Sequence, residues 1–121
     1  MRLYLVYLVE RIANAPELGV KLKKSYKIIV SDSAKTDIKE NALWHNKQQK
    51  GLGKRFTQSI KECVKIIQLQ PESFQVRYKN NRAGIPDKFP YLIIYNVNKD
   101  SKTISIIAVF HSSQNPEKWK S

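Results

Sequence analysis

The sequence predicts an α+β fold in which a helical hairpin packs on one face of a small, mainly antiparallel four-stranded sheet. Two patterns support this class. A short β-branched segment precedes two segments with apolar residues at helical spacing, and three strand-like segments follow them. The 121 residues are also enough for a single domain that buries about two thirds of its unfolded surface. The predicted order is strand, helix, helix, strand, strand, strand.

The first strand and the first helix are predicted between residues 26 and 45. Residues 26–30 are short and β-branched, which favours a strand. The next residues, 31–33, carry side-chain oxygens that can cap a helix N-terminus. Ala34, Ile38 and Ala42 would then share the apolar face of the helix, and we interpret Trp44 as the residue that anchors the hairpin.

The second helix follows the break at residues 51–53, which read Gly-Leu-Gly, and it is expected to continue as far as Pro71. Its apolar residues recur at spacings typical of one helix face. They are Leu52, Phe56, Ile60, Cys63, Val64 and Ile67.

Three strands are predicted after Pro71. In the first, Phe74, Val76 and Tyr78 alternate with polar residues, which predicts one buried and one solvated face. The others are expected at residues 89–97 and 103–111, joined by a turn at residues 98–101, and a last helical turn is expected near Pro116.

Residues 1–24 are interpreted as an extension ahead of a domain at residues 25–121. Leu3 to Val9 is an apolar run too short to span a bilayer. Ala13-Asn14-Ala15 resembles a signal-peptidase site, so secretion is an alternative. We favour a short helix over residues 3–13, ended near Pro16 and followed by a basic hinge.

The composition is strongly basic. Lys and Arg number 22 against 10 Asp and Glu, a formal net charge of +12, which predicts attraction to a polyanion or an acidic protein. The single cysteine, Cys63, excludes an internal disulfide and fits a reducing compartment, so we expect a cytoplasmic protein. His45 has no second ligand at metal spacing, and we assign neither a metal nor a cofactor.

Several segments together carry a family resemblance. The opening strand runs into Ser33-Ala34-Lys35-Thr36-Asp37-Ile38, residues 51–53 precede Phe56, and residues 89–95 read Phe-Pro-Tyr-Leu-Ile-Ile-Tyr. Val109-Phe110-His111 and Asn115-Pro116 with Trp119 complete the pattern. In this combination residues 26–119 resemble the RelE/ParE family of toxins from type II toxin-antitoxin modules.

The resemblance implies a partner as well as an activity. A cognate antitoxin would neutralise the toxin by wrapping a flexible segment over it, and an acidic or amphipathic segment would be attracted by the basic charge. Contact with operator DNA would occur mainly through that antitoxin, and no membrane is involved.

One branch of the family resembles ribosome-dependent messenger RNA endonucleases, in which the ribose 2′-hydroxyl attacks the adjacent phosphate. That reaction needs cations and a group that titrates near neutrality. Arg77, Arg82 and Lys79 are the candidate cations, His111 the candidate acid/base, and Glu72 a further base. This branch resembles the chain less closely at residue 92, because leucine stands where its arginine would be.

The other branch resembles toxins that inhibit DNA gyrase by binding, without a catalytic group of their own. The opening at residues 89–91 and the ending at residues 111–119 are closer to this branch and its plasmid-stabilisation relatives, so gyrase is the favoured target. The candidate target- or nucleic-acid-binding residues are Arg77, Lys79, Arg82 and Trp119. Gln114 departs from the arginine expected in both branches, and such a residue cannot read phosphate in the same way.

Simpler interpretations remain open. His111 shares strand parity with Val109 and would also suit the edge of the core, and Arg77 and Lys79 would also suit a solvated strand face. A third function class is a basic nucleic-acid-binding module without toxicity. Against it, the sequence has no helix-turn-helix, zinc motif or RNP-like aromatic pair.

Overall fold

The computed structural model describes residues 26–114, which form two helices and five strands. The predicted α+β class with a helical hairpin is confirmed. The predictions for residues 1–24, for the last helical turn and for Trp119 lie outside the described residues. In chain order the elements are β1 (Lys27–Val30), α1 (Asp32–Gln48), α2 (Leu52–Leu69), β2 (Val76–Tyr78), β3 (Asn81–Gly84), β4 (Tyr91–Asn98) and β5 (Thr103–His111).

The strands form one sheet in the order β1-β5-β4-β3-β2. β1 pairs with β5 in parallel, and all other neighbours are antiparallel. The expected count of four strands is therefore wrong by one. The additional strand arises because β2 and β3 form a tight hairpin, in which Lys79 adopts a left-handed φ of 56°. The sequence of β3, Asn-Arg-Ala-Gly, lacks the β-branched residues that would have indicated a strand.

The start of α1 is tied to β5 at an irregularity of the sheet. The pairing of β4 with β5 shifts register so that Ile107 has no partner on β4. The Ser31 hydroxyl accepts a hydrogen bond from Ala34 N (3.0 Å), as the predicted helix cap requires, and donates to Ile107 O (3.0 Å). Asp37 Oδ2 accepts from Val109 N (3.0 Å). The bulge therefore offers backbone groups that α1 satisfies.

The bulge also decides which side chains of β5 face the helices. Ile104 and Ile106 pack in the core between helices and sheet, and beyond the bulge Val109 does so. Ala108 and Phe110 instead belong to a second apolar cluster. That cluster lies on the opposite face because side chains alternate along a strand and the bulge inserts one residue.

The main core contains five of the six apolar residues predicted for α2, with Val64 only partly buried and Leu52 outside the cluster. Phe56, Ile60, Cys63 and Ile67 are all buried against the sheet. The second cluster, on the face of the sheet away from the helices, is called here the second sheet face. Its buried residues are Ala83, Leu92, Ile94, Ala108 and Phe110.

Two expectations about individual side chains are wrong. Trp44 is 56% exposed and does not anchor the hairpin. Val76, predicted to face the core, is 50% exposed, because β2 is a three-residue edge strand. Close approach of the helices depends instead on Gly53, where a β-carbon would collide with the carbonyl oxygen of Ala42.

Candidate functional site

A hydrogen-bonded cluster connects α1 to the first residue of β4. The Tyr91 hydroxyl donates to Asn41 Oδ1 (2.9 Å), and Asn41 Nδ2 donates to Asp37 O (2.7 Å). His45 Nε2 lies 3.0 Å from the same hydroxyl oxygen. Because a tyrosine hydroxyl has one hydrogen and here gives it to Asn41, His45 Nε2 must be the donor to Tyr91.

Aromatic rings surround this cluster and make it a poor environment for charge. The His45 ring lies 5.0 Å from that of Phe56 and 5.3 Å from that of Phe89, measured between centroids. Burial, followed by the charge of His111, lowers the pKa of His45 below its usual value of 6.5. Burial also raises the pKa of Tyr91. Both side chains are thus neutral hydrogen-bonding groups near pH 7.

His111, the predicted acid/base residue, closes β5 opposite Tyr91, with 5.3 Å between the ring centroids. Its Nδ1 accepts from the backbone N–H of Ser113 (3.1 Å) and also contacts the Ser113 hydroxyl (2.7 Å). A backbone N–H can only donate, so Nδ1 is the acceptor in this contact. Gln114 Oε1 accepts from His111 N (3.1 Å), giving this residue a structural contact where an arginine was expected.

Arg82 lies on β3, and its guanidinium supports the turn that follows α2. Nη1 donates to Phe74 O (2.7 Å) and to Glu72 O (3.4 Å). Tyr95, the partner of Arg82 on β4, donates through its hydroxyl to Pro71 O (2.7 Å). Arg82 and Tyr95 therefore donate to three carbonyl groups of the same turn.

Glu72 forms an exposed ion pair with Lys99, at 2.5 Å between Nζ and Oε2. The hydrogen bond and charge of Lys99 lower the pKa of Glu72. Arg82 and Glu72 lie near Tyr95, whereas His111 lies opposite Tyr91, four residues away and therefore about 13 Å along the strand. The structure brings Arg82 and Glu72 together and separates them from His111.

The remaining predicted cations lie at the far edge of the sheet. Arg77 is exposed on β2, and Lys79 is exposed in the hairpin turn that follows. Trp119 lies outside the described residues. Within residues 26–114, no three His, Cys, Asp or Glu side chains come close enough to hold a metal ion.

A groove of about 750 Å³ lies between the two helices of the hairpin, beside the end of β1. Ile38, Ala42 and Leu43 contribute apolar surface, and Leu43 is 57% exposed. Three lysines of the two helices line the same groove: Lys35, Lys39 and Lys54. This groove was not among the sites predicted from the sequence. Its signal was present, because residues 35, 38, 39, 42 and 43 recur at the spacing of one helix face.

Neither described helix has the length and apolar composition required to cross a bilayer.

A sequence model of the family described as "ParE toxin of type II toxin-antitoxin system, parDE" matches residues 28–116. No curated protein sequence matches significantly.

Solved structures with a similar fold include two toxin-antitoxin systems. The chromosomal ParDE toxin-antitoxin system from P. aeruginosa aligns with a TM-score of 0.64 and 15% identity, covering 73% of this chain and 97% of that one. The toxin-antitoxin complex RelBE2 from Mycobacterium tuberculosis aligns with a TM-score of 0.54 and 15% identity, covering 74% and 94%. The resemblance noted in the sequence is confirmed, and the chain belongs to the ParE toxin family of type II toxin-antitoxin systems.

Proposed function

We propose that this toxin arrests bacterial growth by binding DNA gyrase in the cytoplasm, and that a cognate antitoxin neutralises it. The observation that carries the choice of target is the position of Leu92. In the messenger RNA endonuclease branch of the family, arginine is expected at this position. Here the leucine is 6% exposed and lies on an apolar face of the sheet. Its side chain offers a phosphate neither a positive charge nor a hydrogen-bond donor.

The arrangement of the other candidate groups also favours binding over cleavage. Cleavage requires an acid/base group and cations within hydrogen-bond reach of one phosphate. His111 is separated from Arg82 along β4, and Glu72 is held as a carboxylate by Lys99. The guanidinium of Arg82 already donates to backbone carbonyl groups. These residues have structural partners that a catalytic role would have to replace.

Binding to gyrase would use exposed groups instead. Arg77 and Lys79 extend from the edge of the sheet, where a large partner can approach them. Arginine is enriched among residues that dominate the energy of protein interfaces. Arg77 is therefore the described residue whose loss is expected to weaken inhibition most.

The groove on the helical hairpin is the proposed antitoxin site. Its apolar floor and lysine side chains suit an amphipathic segment whose polar side is acidic. The net charge of +12 would accelerate association with such a segment. The neutralising partner should therefore have an acidic tail. We also expect that a neighbouring reading frame encodes this antitoxin and that the antitoxin makes the contacts with operator DNA.

The choice of target can be tested by expressing the toxin and selected variants in a bacterium. Arg77→Ala is expected to weaken growth arrest and inhibition of purified gyrase in a supercoiling assay. His111→Gln keeps size and polarity and is expected to leave both unchanged. Lys61→Ala, an exposed change on α2 outside the groove, is the control. Prompt cleavage of ribosome-bound transcripts that His111→Gln abolishes would show that the protein is the nuclease.

The antitoxin site can be tested with charge reversal. Lys39→Glu in the groove should weaken neutralisation by the neighbouring gene product, while Lys61→Glu, which makes the same change on another surface of the hairpin, should not. Growth arrest without antitoxin should be equal in both variants. Equal neutralisation of the two would contradict the groove assignment.

A further inference from the structure

An exposed indole lies near the end of α1. Trp44 is 56% exposed, although its neighbour His45 packs against the buried ring of Phe56. The rings of Trp44 and His45 meet edge to face, with 5.0 Å between their centroids and 82° between their planes. This contact holds the indole against the body of the protein, so a ligand that stacks on it would cost the side chain little conformational freedom. Tryptophans held at the surface in this way are typical of binding surfaces.

The chain around this indole is basic and contains no carboxylate. Residues 41–58 include four Lys and Arg side chains and no Asp or Glu. Lys47 is exposed three residues after Trp44 and therefore near it on the helix surface. Lys50 is exposed in the turn between the two helices, and the two residues between these lysines are exposed glutamines. The end of α1 thus presents positive charge and amide donors beside an aromatic ring.

We propose that Trp44, Lys47 and Lys50 form a binding surface for single-stranded nucleic acid, called here the α1 end surface. Proteins bind such strands by stacking bases on aromatic rings while cations contact the phosphates, and both kinds of group are present here. An acidic peptide would use the lysines but offers no base to stack on the indole. The bases of a duplex are already stacked on one another. The combination of groups therefore favours an unpaired strand.

The α1 end surface is separate from the two surfaces proposed above. None of its three residues is among the described residues that line the groove. Arg77 lies on β2, three strands away from β5, to which α1 is hydrogen-bonded. Glu40, one turn before Trp44, ends the basic stretch on the other side. The proposal therefore depends neither on the cellular target nor on the antitoxin.

Fluorescence anisotropy with the full chain and labelled single strands of about 12 nucleotides tests the stacking. Trp44→Ala should weaken binding about 5-fold or more, and Trp44→Phe should restore most of it because a phenyl ring also stacks. Ile85→Ala removes an apolar side chain that is likewise 56% exposed, and as the control it should bind normally. Equal losses for a single strand and for a duplex of the same charge would overturn the proposal, as would the absence of saturable binding at low salt.

The salt dependence of binding tests the lysines. Each phosphate contact to a single strand contributes about 0.7 to the slope of log K against the logarithm of the salt concentration, so Lys47→Gln/Lys50→Gln should reduce that slope by about 1.4. Lys27→Gln/Lys61→Gln removes the same charge at exposed positions elsewhere and should leave the slope unchanged. An equal reduction in the two double variants would show that only the overall charge attracts the strand, and would contradict a defined surface.

Tryptophan fluorescence distinguishes a nucleic acid from an acidic protein as the ligand. In a Trp119→Phe background, Trp44 is the one tryptophan left in the chain. Stacked bases should quench its emission as the single strand saturates the protein. Polyglutamate of equal charge should neither quench this emission nor displace the strand at the same concentration. Displacement of the strand by polyglutamate would assign the surface to an acidic protein instead.

Discussion

The Nε2 atom of His45 lies 3.0 Å from the hydroxyl oxygen of Tyr91, although the two residues are 46 positions apart in the chain. The contact joins the last turns of α1 to the start of β4. The hydroxyl in turn donates to Asn41, so a single oxygen connects two residues of one helix to the sheet. This arrangement explains why the ring of His45, and not that of Trp44, is packed against the core.

Removal of the Tyr91 hydroxyl tests how much this group contributes to the free energy of unfolding. Tyr91→Phe leaves the ring in place but deprives the half-buried Asn41 and His45 of their common partner. We expect the free energy of unfolding to fall by about 1–2 kcal/mol, the usual cost of unsatisfied buried polar groups. Urea denaturation at pH 7.5 measures it. A change below about 0.5 kcal/mol would show that water replaces the hydroxyl.

The pKa of His45 predicts a pH dependence of stability. It is lowered in the folded protein below the value of 6.5, so the unfolded chain binds more protons as the pH falls through that value. Stability should be full above about pH 6.5 and decrease below it. The urea midpoint should drop less between pH 7.5 and 5.5 in His45→Gln than in the unmodified protein. An equal drop of the urea midpoint in the variant and in the unmodified protein would contradict a role of His45 in the pH dependence.

Loss of the Arg82 side chain should lower the free energy of unfolding more than loss of the Arg77 side chain. Arg82→Ala removes the donor to Phe74 O and Glu72 O and should lower the free energy of unfolding by about 1–3 kcal/mol, since hydrogen bonds from charged groups are stronger than neutral ones. Arg77→Ala, at an exposed position, should stay within about 0.5 kcal/mol. Thermal or urea unfolding of both variants provides the comparison. Equal destabilisation would indicate that Arg77 has a structural role too.

Gly53 should resist substitution despite its position in a helix. Alanine would improve helix propensity by up to about 1 kcal/mol. The added β-carbon, however, would meet the backbone of Ala42, and such overpacking costs about 1–3 kcal/mol because backbone cannot move aside easily. We therefore expect Gly53→Ala to be destabilising in urea denaturation. Lys54→Ala, at the next and exposed position, is the control and should be close to neutral.

Local patterns in the sequence were sufficient to predict many of the secondary-structure elements and core residues of this protein. The cap at Ser31, five of the six apolar residues of α2 and the span of β5 depend on neighbours in the chain, and these predictions agree with the structure. The family was also accessible from sequence, because its motifs keep fixed positions relative to these elements. The net positive charge follows from the composition alone.

Other features were decided only when distant segments packed together. The hairpin that creates β3 depends on a left-handed Lys79, which has no local signal. The bulge at Ile107 reverses which side chains of β5 face the helices, and it is stabilised by Ser31, 76 positions away. The sequence provided the candidate residues Arg82, Glu72 and His111. Tertiary structure gave each of them its partners, because hydrogen bonds and burial depend on where the chain returns, not on the residue alone.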